Sequence, residues 1–392
     1  MWRYRLALAV VAVALGACAP RGPAPATTPP CVPVGRWVDP RTHAEVPAAD
    51  VMARAARSRV VLLGEHHDRA DHHRWQLQTL AAIQAAHPDV VVGFEMLPRR
   101  AQPALDRFAA GRTDERTFLV ESRWADVWGF DPQLYLPLLH FARLNGLALR
   151  ALNVDRTVVE QVGARGLDAV PPAAREGVGT PAPPAPAYEA LLRDVWAAHG
   201  ADDPHAAPGD NAARRRFVEA QLLWDRAMAE ALADAVRADP HAIAVGILGS
   251  GHVERRFGVP HQLAALGIDD VLVLLPWDAD RGCDALVPDV ADVVFGVPAA
   301  PADVAPKPRL GVMLAAADGG ARVAEVARHS VAAAAGLRVG DVITAAAGTS
   351  IDGPAALRAV VERQPPGTWL PLDVRRRGKR LHLVAKFPPA DA

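Results

Sequence analysis

The sequence predicts an α/β domain with a mainly parallel sheet and helices on both faces, followed by a smaller domain of β-rich type. Two patterns carry the first part. Val60–Leu63, Val90–Phe94, Leu147–Leu152, Ile243–Leu248 and Val271–Leu275 are short apolar runs rich in β-branched residues. Unbroken apolar strands, rather than alternating ones, belong to sheets buried on both sides. Between them lie stretches of helical periodicity at 70–86, 101–110, 131–145, 156–165, 188–199 and 210–238, the arrangement that covers a parallel sheet. The division into two domains comes from the Pro-rich linker 298–308, which separates about 260 residues from about 85.

In chain order, Met1 to Cys18 has a basic start (Arg3, Arg5), an apolar core from Leu6 to Leu15, and the ending Leu15-Gly16-Ala17-Cys18. This is the pattern of a secretory signal peptide, and its apolar core is too short to span a bilayer. The ending resembles a bacterial lipobox. That resemblance implies removal of residues 1–17, acylation of Cys18, and residence on the periplasmic side of a bacterial membrane, held there by lipid. Residues 18–34 are Pro/Ala/Thr-rich and read as a tether. With Cys18 acylated, two of the 3 Cys remain. In an oxidising compartment Cys31 and Cys283 either bridge the two ends of the large domain or stay as separate thiols. The 43 basic and 44 acidic side chains leave a net charge of -1, which excludes nucleic-acid binding driven by bulk charge. The densest basic runs, Arg214–Arg216 and Arg375–Arg380, form no long stripe.

The large domain, 35–297, concentrates its chemistry at strand ends, where ligands sit in open α/β sheets. The first strand ends in Gly64-Glu65-His66-His67-Asp68, with Asp71-His72-His73 opening the next helix. The second ends in Gly93-Phe94-Glu95 and another in Gly249-Ser250-Gly251-His252. Four of the 14 His fall between residues 66 and 73. Imidazole with carboxylate is a common ligand set for Zn or Fe, and Glu65 or Glu95 is also a candidate general base. The glycines are expected to let the chain bend after each strand. On helices, His72 and Gln76 share a face, as do Gln221 and Asp225. Trp124 and Trp128 either wall an apolar site or fill the core.

The runs VVLLGEHHDRADHHRWQ, VVVGFEMLP, DPQLYLPLLHFARLNGLALRALNVDR, FVEAQLLWDRAMA and ILGSGHVERRFGVP resemble the ChaN-like haem-binding lipoproteins of the haem-binding uptake/Tiki superfamily, over roughly residues 50–280. The resemblance implies haem as cofactor, a role in iron acquisition or haem handling, and a homodimer with a cofacial haem pair. It maps the superfamily's two G-x-x-H motifs to Gly64 with His67 and Gly249 with His252, and the strand-end acid to Glu95. Glu65 and His66 join the candidate haem contacts. Tyrosinate is one of the protein ligands available to haem iron, which makes Tyr135, with Leu134, Leu138 and Leu139 around it, the expected iron ligand. Other branches of the superfamily are hydrolases. The alternative is therefore a metal-dependent hydrolase with Glu95 and His252 catalytic, or Zn held by His67, His252 and Glu95.

Residues 309–388 resemble a PDZ domain of the bacterial periplasmic protease-associated type. Arg309-Leu310-Gly311-Val312, AGLRVGDVI, the Gly348–Asp352 hairpin, the Ala355–Val361 helix and the Gly367 turn follow in order. The resemblance implies a groove that accepts a peptide or protein C-terminus as an added strand. Leu310, Gly311 and Val312 would receive its carboxylate, and Leu357 and Val360 would line its side-chain pocket.

Overall fold

The computed structural model describes residues 30–200, 211–299 and 308–389. The expected signal peptide, acylated Cys18, most of the tether and most of the linker lie outside the described residues. The first domain runs β1 (Trp37–Asp39), β2 (Ala44–Val46), α1 (Ala48–Ala55), β3 (Val60–Glu65), α2 (Ala70–Ala86), β4 (Val90–Pro98), α3 (Gln102–Ala109), α4 (Glu115–Glu121), α5 (Trp124–Val127) and α6 (Leu136–Leu144). It continues with β5 (Ala148–Asn153), α7 (Arg156–Arg165), α8 (Pro186–Gly200), α9 (Asn211–Ala238), β6 (Ile243–Gly249), α10 (Val259–Ala265), β7 (Val271–Asp278) and β8 (Val293–Val297).

These strands form one sheet in the order β2-β1-β8-β7-β3-β6-β4-β5. The six from β8 to β5 are parallel, and β1 and β2 add an antiparallel edge. All six residues of β3 are buried. Val61 and Leu63 pack toward α1, α2, α3 and α6, whereas Val60 and Leu62 pack toward α9 and α10. Alternate side chains thus feed two apolar layers, which is why the strand reads as an unbroken apolar run. The order also puts β6 between β3 and β4, so their carboxyl ends lie side by side. Glu65 pairs in register with Gly249.

The domain begins earlier than residue 35. Val32 is fully buried, Val34 bridges to Gly296, and Cys31 is bonded to Cys283 with Cα atoms 5.5 Å apart. The last residues of the expected tether therefore belong to the fold. Among the described residues, no helix is long and apolar enough to cross a membrane.

The second domain runs β9 (Val312–Ala317), β10 (Gly320–Val326), α11 (Val331–Ala334), β11 (Val342–Ala346), β12 (Thr349–Ser350), α12 (Pro354–Glu362), β13 (Trp369–Arg376) and β14 (Lys379–Lys386). Its sheet is antiparallel, ordered β14-β13-β11-β10-β9, with β12 paired to β11. A separate core of Leu310, Ile343, Leu357, Val360, Leu372 and Val374, among others, holds it together.

Candidate functional site

Two acid–imidazole pairs stand at the joined ends of β3, β6 and β4. In the first, His67 Nδ1 donates to Glu65 Oε1 at 2.6 Å. Burial works against the imidazolium, but the Glu65 hydrogen bond and the Glu95 and Glu65 charges outweigh it, and the His67 pKa is raised. In the second, His252 Nδ1 donates to Asp225 Oδ1 at 2.6 Å, while Nε2 lies 3.4 Å from Glu95 Oε1 as an ion pair without hydrogen-bond alignment. Tyr188 donates to Asp225 Oδ2 at 2.7 Å, and the Gly249 N–H donates to Glu95 Oε2 at 2.6 Å.

Electrostatics fix the roles in the second pair. Burial opposes a charge on His252, yet the Glu95 charge and the Asp225 hydrogen bond push its pKa up to about 10. Burial likewise works to raise Glu95, but the neighbouring charge of His252 holds it below the usual range. Asp225 goes the other way, because burial outweighs the help of His252 and Tyr188 and raises its carboxyl. His252 thus has one nitrogen on Asp225 and the other beside Glu95, so two buried acids reach it from both sides.

The four clustered His separate as the chain leaves β3. His67 alone lines the cavity described below. His73 Nε2 donates to the His67 carbonyl at 3.2 Å, and Gln76 Nε2 donates to the Leu63 carbonyl at 2.9 Å, so both support the turn. His66 is exposed and, with His72 and Asp278, forms the one group of three among the described residues whose ligand atoms lie within 4.8 Å of one another. Two of its members, His72 and Asp278, are already engaged with protein partners. The His66 N–H donates to His72 Nδ1 at 3.0 Å, which places the ring proton on Nε2, toward Asp278 at 3.2 Å, and Arg69 also pairs with Asp278 at 2.7 Å. His66 is thus not a contact of the cavity.

Tyr135 also differs from expectation. Its side chain is fully buried in the core, beneath Trp124 and against His73. The hydroxyl lies 3.4 Å from Glu65 Oε1, and burial together with the Glu65 charge raises its pKa. Both effects oppose the tyrosinate that iron would need. Leu138 and Leu139 are core residues too.

A cavity of about 420 Å³ opens above this edge, lined by His67, Met96, Val127, Trp128, Phe130, Val154 and Trp224. Arg156 and Glu160, paired at 2.8 Å, stand among its polar lining residues. The His67 ring meets Trp128 and Phe130 edge-on at 4.6 and 5.1 Å. Trp124 instead fills the core and donates its indole N–H to the Phe130 carbonyl, so the two tryptophans divide the roles left open by the sequence. Met96, Phe130 and Trp224 escaped the sequence reading. Gln221 and Asp225, noted only as helix-face neighbours, sit beside His252.

The strand-end glycines supply space rather than a bend. Gly64 and Gly249 are absent from the positive-φ residues, and Gly249 has φ -60. A Cβ at Gly64 would come within 2.3 Å of Leu275 Cδ2. One at Gly249 would come within 2.7 Å of His67 Cε1.

In the second domain β9 is an outer strand of its sheet and thus a free edge for strand addition. Gly311 has φ +77, and a Cβ there would collide with Ser330, so the loop before β9 requires glycine. Leu310 and Val360 are 4% and 7% exposed and Leu357 is fully buried. These three belong to the apolar core of the domain.

A family profile described as haem-binding uptake, Tiki superfamily, ChaN matches residues 51–263, and a PDZ domain profile matches residues 308–386. No curated protein matches the chain. A solved structure of cofacial haem binding to ChaN of Campylobacter jejuni aligns over 66% of this chain and 95% of that one, with 18% identity and a TM-score of 0.52; this shows a shared fold. The HtrA-type protease AlgW with a decapeptide aligns over 20% of this chain and 28% of its own length, at 28% identity and a TM-score of 0.20. The HtrA3 PDZ domain bound to a phage-derived ligand aligns over 20% of this chain and 82% of its own, at 24% identity and a TM-score of 0.19. With its characteristic domain matched over more than half the chain, this protein belongs to the ChaN family of the haem-binding uptake/Tiki superfamily, and a PDZ domain follows.

Proposed function

We propose that the protein holds haem in the cavity above β3, β6 and β4, and that His67 is its iron ligand. One observation carries this reading: His67 is the sole imidazole lining an aromatic-rich cavity, and its Nδ1 is committed to buried Glu65. A ligand imidazole whose other nitrogen donates to a carboxylate is held in the right tautomer and made more basic. Haem would supply a redox-active iron. Trp128, Phe130, Met96 and Trp224 would cover porphyrin faces, and Arg156 would meet a propionate. The cavity size is within the usual range for small-molecule sites. A cofacial pair, as named for the Campylobacter protein, would need two copies of the chain; haem-dependent dimerisation in sedimentation velocity tests that part.

The reading extends to location and partner. Acylation at Cys18 would hold the protein at the periplasmic face of a membrane for haem handling or iron acquisition, and Cys18→Ala should release it to the soluble fraction. The free edge of β9 and the Gly311 loop would take a peptide C-terminus, so amidating a bound peptide should abolish binding. The metal-hydrolase alternative would draw on the same edge, with His252 between Glu95 and Asp225 and His67 on Glu65. Haem titration of the apo-protein tests the central reading. A Soret shift that is lost in His67→Ala supports it, and an unchanged shift in that variant refutes it.

A further inference from the structure

The basic run at Arg375–Arg380 is not used by either proposed site. It lies in the β13–β14 hairpin, whose turn at Arg377 and Gly378 has φ 49 and 78, the left-handed pair of a tight hairpin. Residues 308–389 carry 12 Lys and Arg against 6 Asp and Glu, in a chain that is balanced overall. Much of this excess is on one side of the sheet. The register pairs Trp369 with Lys386, Pro371 with Val384, Asp373 with His382 and Arg375 with Arg380. Arg375 also pairs with Val342, which pairs with Arg322. Paired residues share a face, so these side chains form one surface opposite the core.

That surface is both cationic and apolar. Trp369 is 65% exposed and Val384 42%, with Lys386 placed 3.9 Å over the Trp369 ring. Arg322, Arg375, Arg380 and Lys386 are exposed on it, and Arg377 and Lys379 at the hairpin tip are exposed too. Arg375 has the Asp318 carbonyl, Asp373 is held by His382, and exposed Glu325, paired with Met313, stands on the same face near Arg322, so four cations on the face and two at its tip meet two acids. Charged residues on an edge hairpin can serve simply to prevent aggregation. An exposed Trp works against that purpose, and Arg375 directly opposite Arg380 destabilises the hairpin unless an anion intervenes.

We infer that this face of the PDZ sheet docks on an anionic lipid surface, with Trp369 and Val384 at the headgroup boundary and the arginines on lipid phosphates. Trp beside cations is the composition of an interfacial surface, and polybasic segments are drawn to anionic leaflets. β9, at the opposite end of the strand order from β14, stays free for a peptide. The proposed membrane attachment gives the inference its setting, and the test below omits the acyl chain so that the two can fail separately.

The test is co-sedimentation of unacylated chain 19–392, which contains every element of both sheets, with phosphatidylethanolamine vesicles containing phosphatidylglycerol. Binding is expected, and replacing Arg375, Arg377 and Arg380 with Gln should weaken it roughly a hundredfold. Trp369→Ala should weaken it independently. Haem titration and the thermal midpoint serve as folding controls. Equal binding by the triple variant, equal binding to neutral phosphatidylcholine, or binding of a single-stranded oligonucleotide in place of vesicles would overturn the inference.

Discussion

Gly249→Ala tests the site with one carbon atom. Gly249 sits at φ -60, which alanine adopts without strain, so the effect is purely one of space. The new Cβ would be 2.7 Å from His67 Cε1 and 3.2 Å from Nε2. Carbon atoms pack at about 3.5 Å or more, so the ring must move by about 0.8 Å. It cannot do so and keep both its place in the cavity and its 2.6 Å hydrogen bond to Glu65. The side chain of His67 is 29% exposed, so the ring has room to yield. The stability cost should therefore fall at the low end of overpacking, about 1 kcal/mol. Haem affinity should fall about tenfold, the lower range for losing a ligand's supporting hydrogen bond. Soret titration and a thermal melt measure the two effects, and Gly251→Ala, with nothing within 4 Å of its Cβ, is the control. Haem affinity unchanged in Gly249→Ala would refute the placement of His67.

Glu65→Gln keeps the shape of the site but weakens the partner of His67, and haem affinity should fall about 10–100-fold by the same titration. Tyr135→Phe should leave haem affinity within about twofold, because the hydroxyl is buried away from the cavity and held protonated. Burial lowers the pKa of His72 from 6.5 to about 4, more than the Asp278 hydrogen bond raises it. Between these values the unfolded chain takes a proton that the folded chain refuses, so stability is present above pH 6.5 and declines as pH falls toward 4. The loss is at most about 3 kcal/mol in denaturant melts, and His72→Gln should flatten it. Cys31 and Cys283 close a loop of 252 residues, and reducing the bond should cost at most about 5 kcal/mol in the same melts.

The parallel strands were readable because burial on both faces leaves unbroken apolar runs such as Val60–Leu63. β1 and β2 were not, since three-residue strands carry no periodicity and β1 is placed by long-range pairing with β8. Glu65, Glu95 and Gly249 could be found from the rule that α/β sites gather at strand ends. Which histidine faces the cavity could not, because the turn after β3 sends His66 outward and His67 inward. Tyr135 misled for a physical reason: the apolar neighbours that suggested porphyrin contact are the signature of a core helix. The pairing of Asp225 with His252 joins a helix to a strand end 27 residues away, and spacing along one helix cannot reveal it.

Resonance Raman spectroscopy of the reduced haem complex tests the central claim most directly, because it reports the iron ligand itself. An iron–imidazole stretching band that disappears in His67→Ala and persists in Tyr135→Phe is the predicted result. A phenolate signature that depends on Tyr135, or an imidazole band that survives in His67→Ala, would contradict it.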